Sequence, residues 1–126
     1  MKENKLKITI NSPSVFDFTT EPDNTPKWID GIVSEAVNER PIRVGTLYTN
    51  IDKEGNKNIY KVTQFVDGEI FELKLSTSTY KVRYTYNNIS LDKVELEYFE
   101  WVEEGELLNP FKQSNIEKLK TILESN

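Results

Sequence analysis

The end of the chain constrains the fold most, because residues 109–126 predict one amphipathic helix that needs a surface to pack on. Asn109 is a suitable N-cap, and Pro110 suits the first helical position, where its missing N–H costs nothing. The apolar residues recur at helical spacing on one face: Phe111, Ile116, Leu119, Ile122 and Leu123. Because such a helix is marginal alone in water, its apolar face must be buried against another element. Most of the preceding chain has strand patterns, so we expect the helix to pack on a curved sheet.

The chain before this helix alternates apolar and polar residues as half-buried strands do. Leu6, Ile8 and Ile10 mark the first strand, and the Ser12-Pro13 and Thr25-Pro26 pairs then predict the starts of two short helices. Gly31 suits a left-handed stop after the second helix. Further strands are predicted over residues 32–37, 45–51, 59–66, 69–77, 80–86 and 93–102. This order predicts a single α+β domain over residues 1–126, in which an antiparallel sheet of about six to seven strands packs on the C-terminal helix.

One side of these strands is predicted to form the concave, apolar wall. Its rows are Leu47, Thr49 and Ile51; Tyr60, Val62 and Gln64; Phe71, Leu73 and Leu75; and Tyr80, Val82, Tyr84 and Tyr86. The last strand alternates through Val94, Leu96 and Tyr98, but Phe99 and Trp101 then stand where polar residues are expected. This shift of phase predicts a bulge or a strand end covered on both faces.

Composition excludes several classes of function. The formal net charge of −5 argues against a nucleic-acid partner, which needs clustered Lys and Arg, and no apolar run is long enough to cross a bilayer. With no signal-peptide core after the charged N-terminus, we expect a cytoplasmic protein. The chain has no Cys and no His, so thiolate nucleophiles, Ser-His pairs and His-ligated zinc are excluded. We predict no metal and no cofactor, and any catalysis would depend on Asp, Glu, Lys, Arg, Tyr or water.

The acidic residues carry no recognisable site pattern. Six glutamates between residues 95 and 106 predict a solvated strand edge, because an unpaired buried carboxylate is costly. A general-acid role would require one of them to be buried with a raised pKa.

Four phrases resemble the SRPBCC superfamily, the START-like or birch-pollen-allergen-like helix-grip proteins. The stretch of residues 8–18, Ile-Thr-Ile-Asn-Ser-Pro-Ser-Val-Phe-Asp-Phe, is similar to the family's first strand and helix start. Pro26-Lys27-Trp28-Ile29 resembles its Pro-x-Trp step, residues 43–46 its Val-Gly-Thr phrase, and residues 116–120 its gripping helix. The resemblance covers nearly the whole chain and implies a sheet wrapped around the C-terminal helix, enclosing an apolar cavity. The short chain and short final helix argue against a lipid-sized cavity.

The resemblance leads to three functional hypotheses. The first is non-catalytic binding of a small hydrophobic or aromatic molecule between the sheet and the C-terminal helix. The predicted ligand-binding residues are Trp28, Leu47, Thr49, Tyr60, Val62, Gln64, Phe71, Leu73, Tyr80, Val82, Tyr84, Phe111, Ile116 and Leu119. The second is a cyclase or aromatase of the polyketide-cyclase type, with Tyr or Glu as acid or base. The third is a protein-interaction module similar to chaperone-ATPase activators, anchored by Phe99 and Trp101 if these lie outside the core.

Each predicted site has a purely structural alternative. Trp28 stands where the family's aromatic lies near the cavity mouth. A core tryptophan that fixes the second helix would give the same sequence pattern. The inward rows fit a pocket wall with a few polar groups, and they equally fit a packed core without a ligand. Tyrosines favour strands whether or not they touch a ligand.

Overall fold

Seven strands form one antiparallel sheet, curled into a half-barrel, in the computed structural model, which describes residues 1–125. The elements in chain order are β1 (Glu3–Ile10), α1 (Val15–Thr20), a 3₁₀ turn (Pro22–Asn24), α2 (Thr25–Trp28), β2 (Ile32–Val37), β3 (Leu47–Asp52), β4 (Lys57–Val66), β5 (Ile70–Leu75), β6 (Lys81–Ser90), β7 (Lys93–Trp101) and α3 (Gln113–Glu124). Asn126, predicted as the last residue of the final helix, lies outside the described residues. The helix-grip α+β fold is therefore confirmed.

The sheet order places the two ends of the chain together. The strands run β1-β7-β6-β5-β4-β3-β2, so β1 pairs with the last strand while hairpins join the others. Helix α3 then packs along β1 and α2. Its Ile116 and Leu119 side chains are fully buried in the core cluster. The concave face of the sheet and the helices thus enclose one common interior.

Helix α3 starts later than the sequence predicts. Its first residue is Gln113, so Asn109 is not the N-cap and Pro110 is not the first helical residue. The side-chain oxygen of Asn115 instead accepts a hydrogen bond from the backbone N–H of Lys112 at 2.9 Å. The prediction failed because the Phe111 backbone is held by β7 and β1 side chains, which keep this segment out of the helix.

The short helices also differ in detail from the prediction. Helix α1 begins at Val15, two residues after Pro13, and α2 includes Thr25 as its first residue. A further helical turn, Pro22–Asn24, lies between these two helices and has no counterpart in the prediction. Gly31 does not adopt a positive φ, because Ile29 already leaves the helix in an extended conformation. The turn into β2 therefore needs no left-handed residue.

Strand β3 presents the opposite face to the one predicted. Tyr48 and Asn50 are buried and face inward, whereas the row that begins with Leu47 and Thr49 lies on the outer face. Both phases of this strand contain apolar residues, so alternation alone does not choose between them. The choice is made by Tyr48, whose ring packs 5.4 Å from that of Phe71 and whose hydroxyl donates to the Thr20 carbonyl at 2.6 Å.

A register shift in β4 moves Gln64 to the outer face. The pairing with β5 is irregular between Val62 and Gln64, so Thr63 and Gln64 both reach Glu72 on the convex side. Val62 keeps its predicted inward position and is fully buried. The amide of Gln64 is therefore not part of the interior.

The predicted change of phase in β7 does not occur. Inward positions continue regularly from Val94 through Leu96 and Tyr98 to Glu100, which is 2% exposed. No register shift interrupts the pairing of this stretch with β6. Phe99 and Trp101 are ordinary outward residues of a strand whose next inward residue is a glutamate.

No helix within residues 1–125 is both long enough and apolar enough to span a membrane.

Candidate functional site

A cavity of about 200 Å³ lies between the concave sheet, the α2 segment and the strand-to-helix connection. Aromatic rings form most of its wall, and a few polar side chains lie among them. It is lined by Thr19, Thr25, Trp28, Ile29, Ile32, Glu35, Tyr48, Asn50, Tyr60, Phe71, Leu73, Tyr80, Val82, Tyr84, Tyr98 and Phe111. Several lining residues are half-buried, among them Ile32, Glu35 and Tyr60.

The structure brings most of the predicted site residues to this cavity. Those that line it are Trp28, Tyr60, Phe71, Leu73, Tyr80, Val82, Tyr84 and Phe111. Val62, Ile116 and Leu119 are fully buried in the core behind the wall. Leu47, Thr49 and Gln64 lie on the outer face, for the reasons given above. Whether any of them touches a ligand stays a prediction.

Trp28 is both a core residue and a wall residue. Its side chain is 1% exposed, and its ring meets those of Tyr84 and Phe111 edge-to-face, with centroids 6.3 and 5.7 Å away. The indole N–H is buried and finds no hydrogen-bond acceptor in the described part of the chain. Buried polar groups are nearly always hydrogen-bonded, so this donor is an exception within the core.

Among the described residues, Glu35 supplies the one carboxyl group of the lining. One carboxyl oxygen accepts a hydrogen bond from the Thr25 hydroxyl at 2.6 Å, and Asn50 also bonds to this carboxyl group. Burial raises the pKa of Glu35 above its ordinary value, against the opposing effect of these hydrogen bonds. A carboxyl group in this setting can take up or release a proton nearer to neutral pH than a surface glutamate.

We expect the Glu35→Gln variant to gain thermal stability relative to the wild type as the pH rises from about 4 to about 8. The folded-state pKa of Glu35 lies above the unfolded one, so between the two the native state binds more protons. Unfolding then becomes easier as the pH rises through this window, and the glutamine does not titrate. Melting temperatures across the range test this, with the exposed Glu69→Gln as the control for lost charge. A pH-independent difference between Glu35→Gln and wild type contradicts it.

The tyrosines of the wall are held as neutral phenols. Burial raises the pKa of Tyr60 to about 12, and burial also raises the pKa values of Tyr48, Tyr80 and Tyr84. They can therefore donate or accept hydrogen bonds at neutral pH, but they cannot act as bases there.

A second carboxyl group, Glu100, lies directly behind the wall. Its Oε1 accepts from the Tyr80 hydroxyl at 2.7 Å, and its Oε2 accepts from the Asn4 amide at 2.9 Å and from the Phe111 N–H at 2.6 Å. The Asn4 amide also donates to the Phe111 carbonyl at 2.8 Å. These contacts fix the Phe111 backbone, so its ring stacks on Tyr98 with centroids 4.5 Å apart and closes one side of the cavity.

Sequence reasoning missed Glu35, Tyr48, Asn50 and Glu100. The predicted solvated edge is wrong for Glu100, because three neutral donors satisfy a carboxyl group that was expected to need solvent. The signal was available in β7, where strict alternation from Tyr98 leads to Glu100. For Tyr48 and Asn50, the correct phase of β3 would have been enough. Glu35 follows a register shift between Ile32 and Ser34, which the sequence does not reveal.

Phe99 and Trp101 lie on the convex face, outside the core. Their rings stack with centroids 4.8 Å apart, and the Arg83 guanidinium lies 5.1 Å from the Trp101 ring. Lys5 and Lys81 lie over the same two rings. Cationic side chains therefore cover the pair that the interaction hypothesis used as its anchors.

The comparisons with known proteins show the fold alone. No family model matches the chain, and no curated protein matches it. The fold is similar to that of a START superfamily protein from Mycobacterium smegmatis, with a TM-score of 0.69 at 11% identity over 99% of both chains. It is also similar to an uncharacterised protein from Bacillus thuringiensis, with a TM-score of 0.73 at 10% identity over 97% of this chain and 98% of the other. Ara h 8.0201 matches with a TM-score of 0.61 at 13% identity over 98% and 99%. The predicted START-like fold is thus confirmed.

Proposed function

We propose that the protein binds one small, hydrophobic, ring-sized molecule in this cavity without transforming it. The observation that carries the proposal is a cavity of about 200 Å³ with a largely aromatic wall, enclosed between the concave sheet and the helices. The apolar surface of a bound molecule would pack against these rings. Apolar walls with a few placed polar groups are the usual composition of small-molecule sites.

The volume limits the size of the molecule. An apolar cavity of about 150 Å³ is enough to hold benzene, whereas drug-sized ligands use about 300 to 1,000 Å³. The cavity described here therefore suits one ring or a branched molecule of similar bulk, and a long-chain lipid is too large for it. This agrees with the short final helix, which spans 12 residues.

Binding ranks above catalysis because the wall offers little acid–base chemistry. The tyrosines are neutral at working pH, and Glu35 is engaged by Thr25 and Asn50. A cyclase or aromatase would need a second group to move a proton or stabilise charge opposite Glu35. Within residues 1–125, no other acidic or basic side chain lines the cavity to take that role.

The proposal predicts a local effect on Trp28 that nuclear magnetic resonance can detect. The chain contains two tryptophans, and only Trp28 lines the cavity, so Trp101 on the outer face serves as an internal control. On titration with acetophenone, whose aromatic ring would lie against the wall that includes Trp28, we expect the Trp28 indole N–H resonance to shift and saturate. The Trp101 resonance, assigned from the Trp101→Phe variant, stays in place.

A variant that fills the cavity completes the test. Val82 lies in the wall and is buried, so Val82→Phe places extra volume in the space the ligand needs. The matched control is Val33→Phe at a position that is 59% exposed. A folded Val82→Phe protein loses the Trp28 response, whereas Val33→Phe keeps it. A Trp28 resonance that does not move with acetophenone, or that moves equally in folded Val82→Phe, contradicts the proposal.

A further inference from the structure

Most polar side chains of the cavity wall are hydrogen-bonded within the protein itself. The Tyr48 hydroxyl donates to the Thr20 carbonyl at 2.6 Å, and the Tyr80 hydroxyl donates to Glu100 at 2.7 Å. Tyr98 is hydrogen-bonded in turn to Tyr80. The other lining side chains that have such partners are Thr19, Thr25, Glu35 and Asn50. Each of these groups therefore has a partner without a ligand.

The hydroxyl group of Tyr84 is the exception. Tyr84 lines the cavity and is 5% exposed, and its hydroxyl forms no hydrogen bond within residues 1–125. Among the side-chain polar groups of these residues, only the Trp28 N–H lacks both a partner and accessible surface. The unpartnered Tyr84 hydroxyl therefore keeps accessible surface. The Tyr60 hydroxyl also has no partner among these residues, but Tyr60 is half-buried, so solvent can satisfy it.

The position of Tyr84 directs its hydroxyl to the cavity. Tyr84 is an inward residue of β6, which lies between β7 and β5 in the sheet. The rings that flank it, with centroids 5.3 to 6.3 Å away, are those of Trp28, Phe71, Tyr86 and Tyr98. A tyrosine hydroxyl lies at the tip of its side chain, so here it points away from the strand into the enclosed interior. The space that Tyr84 lines there is the cavity, and the surface of its hydroxyl is open to it.

A neutral acceptor is the partner that fits this hydroxyl. Burial raises the pKa of Tyr84, so the group stays protonated and can donate. Within residues 1–125 no lysine or arginine lines the cavity, so an anionic acceptor would be buried without a counter-charge. An interior water makes about two to four hydrogen bonds, and most other polar groups of this wall already have partners. A neutral oxygen that arrives on an apolar ring needs only the one donor.

We infer that the ligand of this cavity is a neutral ring compound with one oxygen acceptor, such as a carbonyl group, to which the Tyr84 hydroxyl donates a hydrogen bond. The inference rests on the proposed function and adds the chemical class of the ligand and the residue that selects it. A site built to hydrogen-bond its ligand disfavours an analogue without the acceptor, because the donor then stays unpaired.

The free protein gives the first test. Tyr86 is the next inward residue of β6, does not line the cavity, and shares a hydrogen bond of 2.6 Å with the Thr19 hydroxyl. Tyr86→Phe therefore removes a hydrogen bond, whereas Tyr84→Phe removes none. In urea unfolding we expect a lower midpoint for Tyr86→Phe and a midpoint equal to or above that of the wild type for Tyr84→Phe. If both midpoints fall equally, the Tyr84 hydroxyl has a partner in the free protein and the inference is wrong.

The second test compares acetophenone with 2-phenylpropene, which has a CH₂ group in place of the carbonyl oxygen. The Trp28 indole resonance reports both titrations. We expect the ratio of the two dissociation constants to shift by about tenfold toward 2-phenylpropene in Tyr84→Phe. Comparing ratios between proteins cancels the different hydrophobicity of the two ligands. Tyr86→Phe is the matched control and keeps the wild-type ratio. With acetophenone labelled at the carbonyl carbon, the bound ¹³C resonance should lie further downfield in the wild type than in Tyr84→Phe.

The outcomes separate this inference from the proposed function. If both ligands bind and Tyr84→Phe keeps the wild-type ratio, the cavity accepts small molecules but Tyr84 does not select them. The inference is also wrong if Tyr86→Phe changes the ratio as much as Tyr84→Phe does, or if the bound carbonyl resonance is the same in both proteins. If acetophenone and 2-phenylpropene both leave Trp28 unchanged, the proposed function itself fails.

Discussion

Replacing Glu100 by alanine is expected to lower the free energy of unfolding by about 2 to 4 kcal/mol. The change removes the acceptor of three hydrogen bonds from a side chain that is 2% exposed. The Phe111 N–H then loses its acceptor, the Asn4 amide keeps only its bond to the Phe111 carbonyl, and an unsatisfied buried group costs about 1 to 3 kcal/mol. Urea unfolding of the wild type and the variant measures the loss.

The isosteric Glu100→Gln separates geometry from charge. A glutamine can place its oxygen at the Oε2 position, where it still accepts from Asn4 and Phe111. Its amide nitrogen can donate to the Tyr80 hydroxyl, which can act as acceptor as well as donor. We expect a loss of about 1 kcal/mol or less. If Glu100→Gln loses as much free energy of unfolding as Glu100→Ala, the hydrogen-bond pattern does not account for the stabilisation of the Phe111 segment.

The Glu100→Ala substitution should also loosen the cavity wall. Glu100 and Asn4 together hold the N–H and the carbonyl of Phe111, whose ring packs on Trp28 and Tyr98. In Glu100→Ala we therefore expect faster amide hydrogen exchange at Phe111 than in the wild type. The cross-strand amides of β4 and β5, which do not contact Glu100, should be affected only through global unfolding. A Glu100→Ala protein that loses less than 1 kcal/mol contradicts the assignment of Glu100 as the anchor of this segment.

The sequence predicted the fold from its periodicity but missed the positions where hydrogen bonds override periodicity. Alternation placed Phe71, Leu73, Val82, Tyr84 and the inward residues of β7 correctly, because burial of large apolar side chains decides the face of those strands. The α3 face was correct for the same reason.

The failures share a physical cause. Glu100 was assigned to solvent because hydropathy treats a carboxyl group as costly inside, and no local pattern reveals the three donors that come from residues 4, 80 and 111. Gln64 was assigned inward because a register shift depends on the partner strand and not on β4 itself. The start of α3 moved because a contact with β7 outweighed the preference of Asn109 and Pro110 for a helix start.

Truncating Leu119 to alanine is expected to cost about 2 to 5 kcal/mol, the usual range for a fully buried leucine. Leu119 has no exposed surface and lies in the core cluster beside Ile116. Helix α3 spans 12 residues, a length that is marginal in isolation, so its stability depends on this packed face. The expected loss of stability therefore comes from packing between helix α3 and the sheet. It does not come from helix propensity, since alanine is the better helix former.

The matched control is Leu108→Ala, the same chemical change at a side chain that is 87% exposed in the connection before α3. We expect it to stay within about 0.5 kcal/mol of the wild type. Urea unfolding followed by circular dichroism should show Leu119→Ala losing helix and sheet signals in one transition, because the helix covers the interior of the sheet. If the two variants are equally stable, or if the helix signal is lost while the sheet remains at wild-type stability, the closing helix does not stabilise this fold.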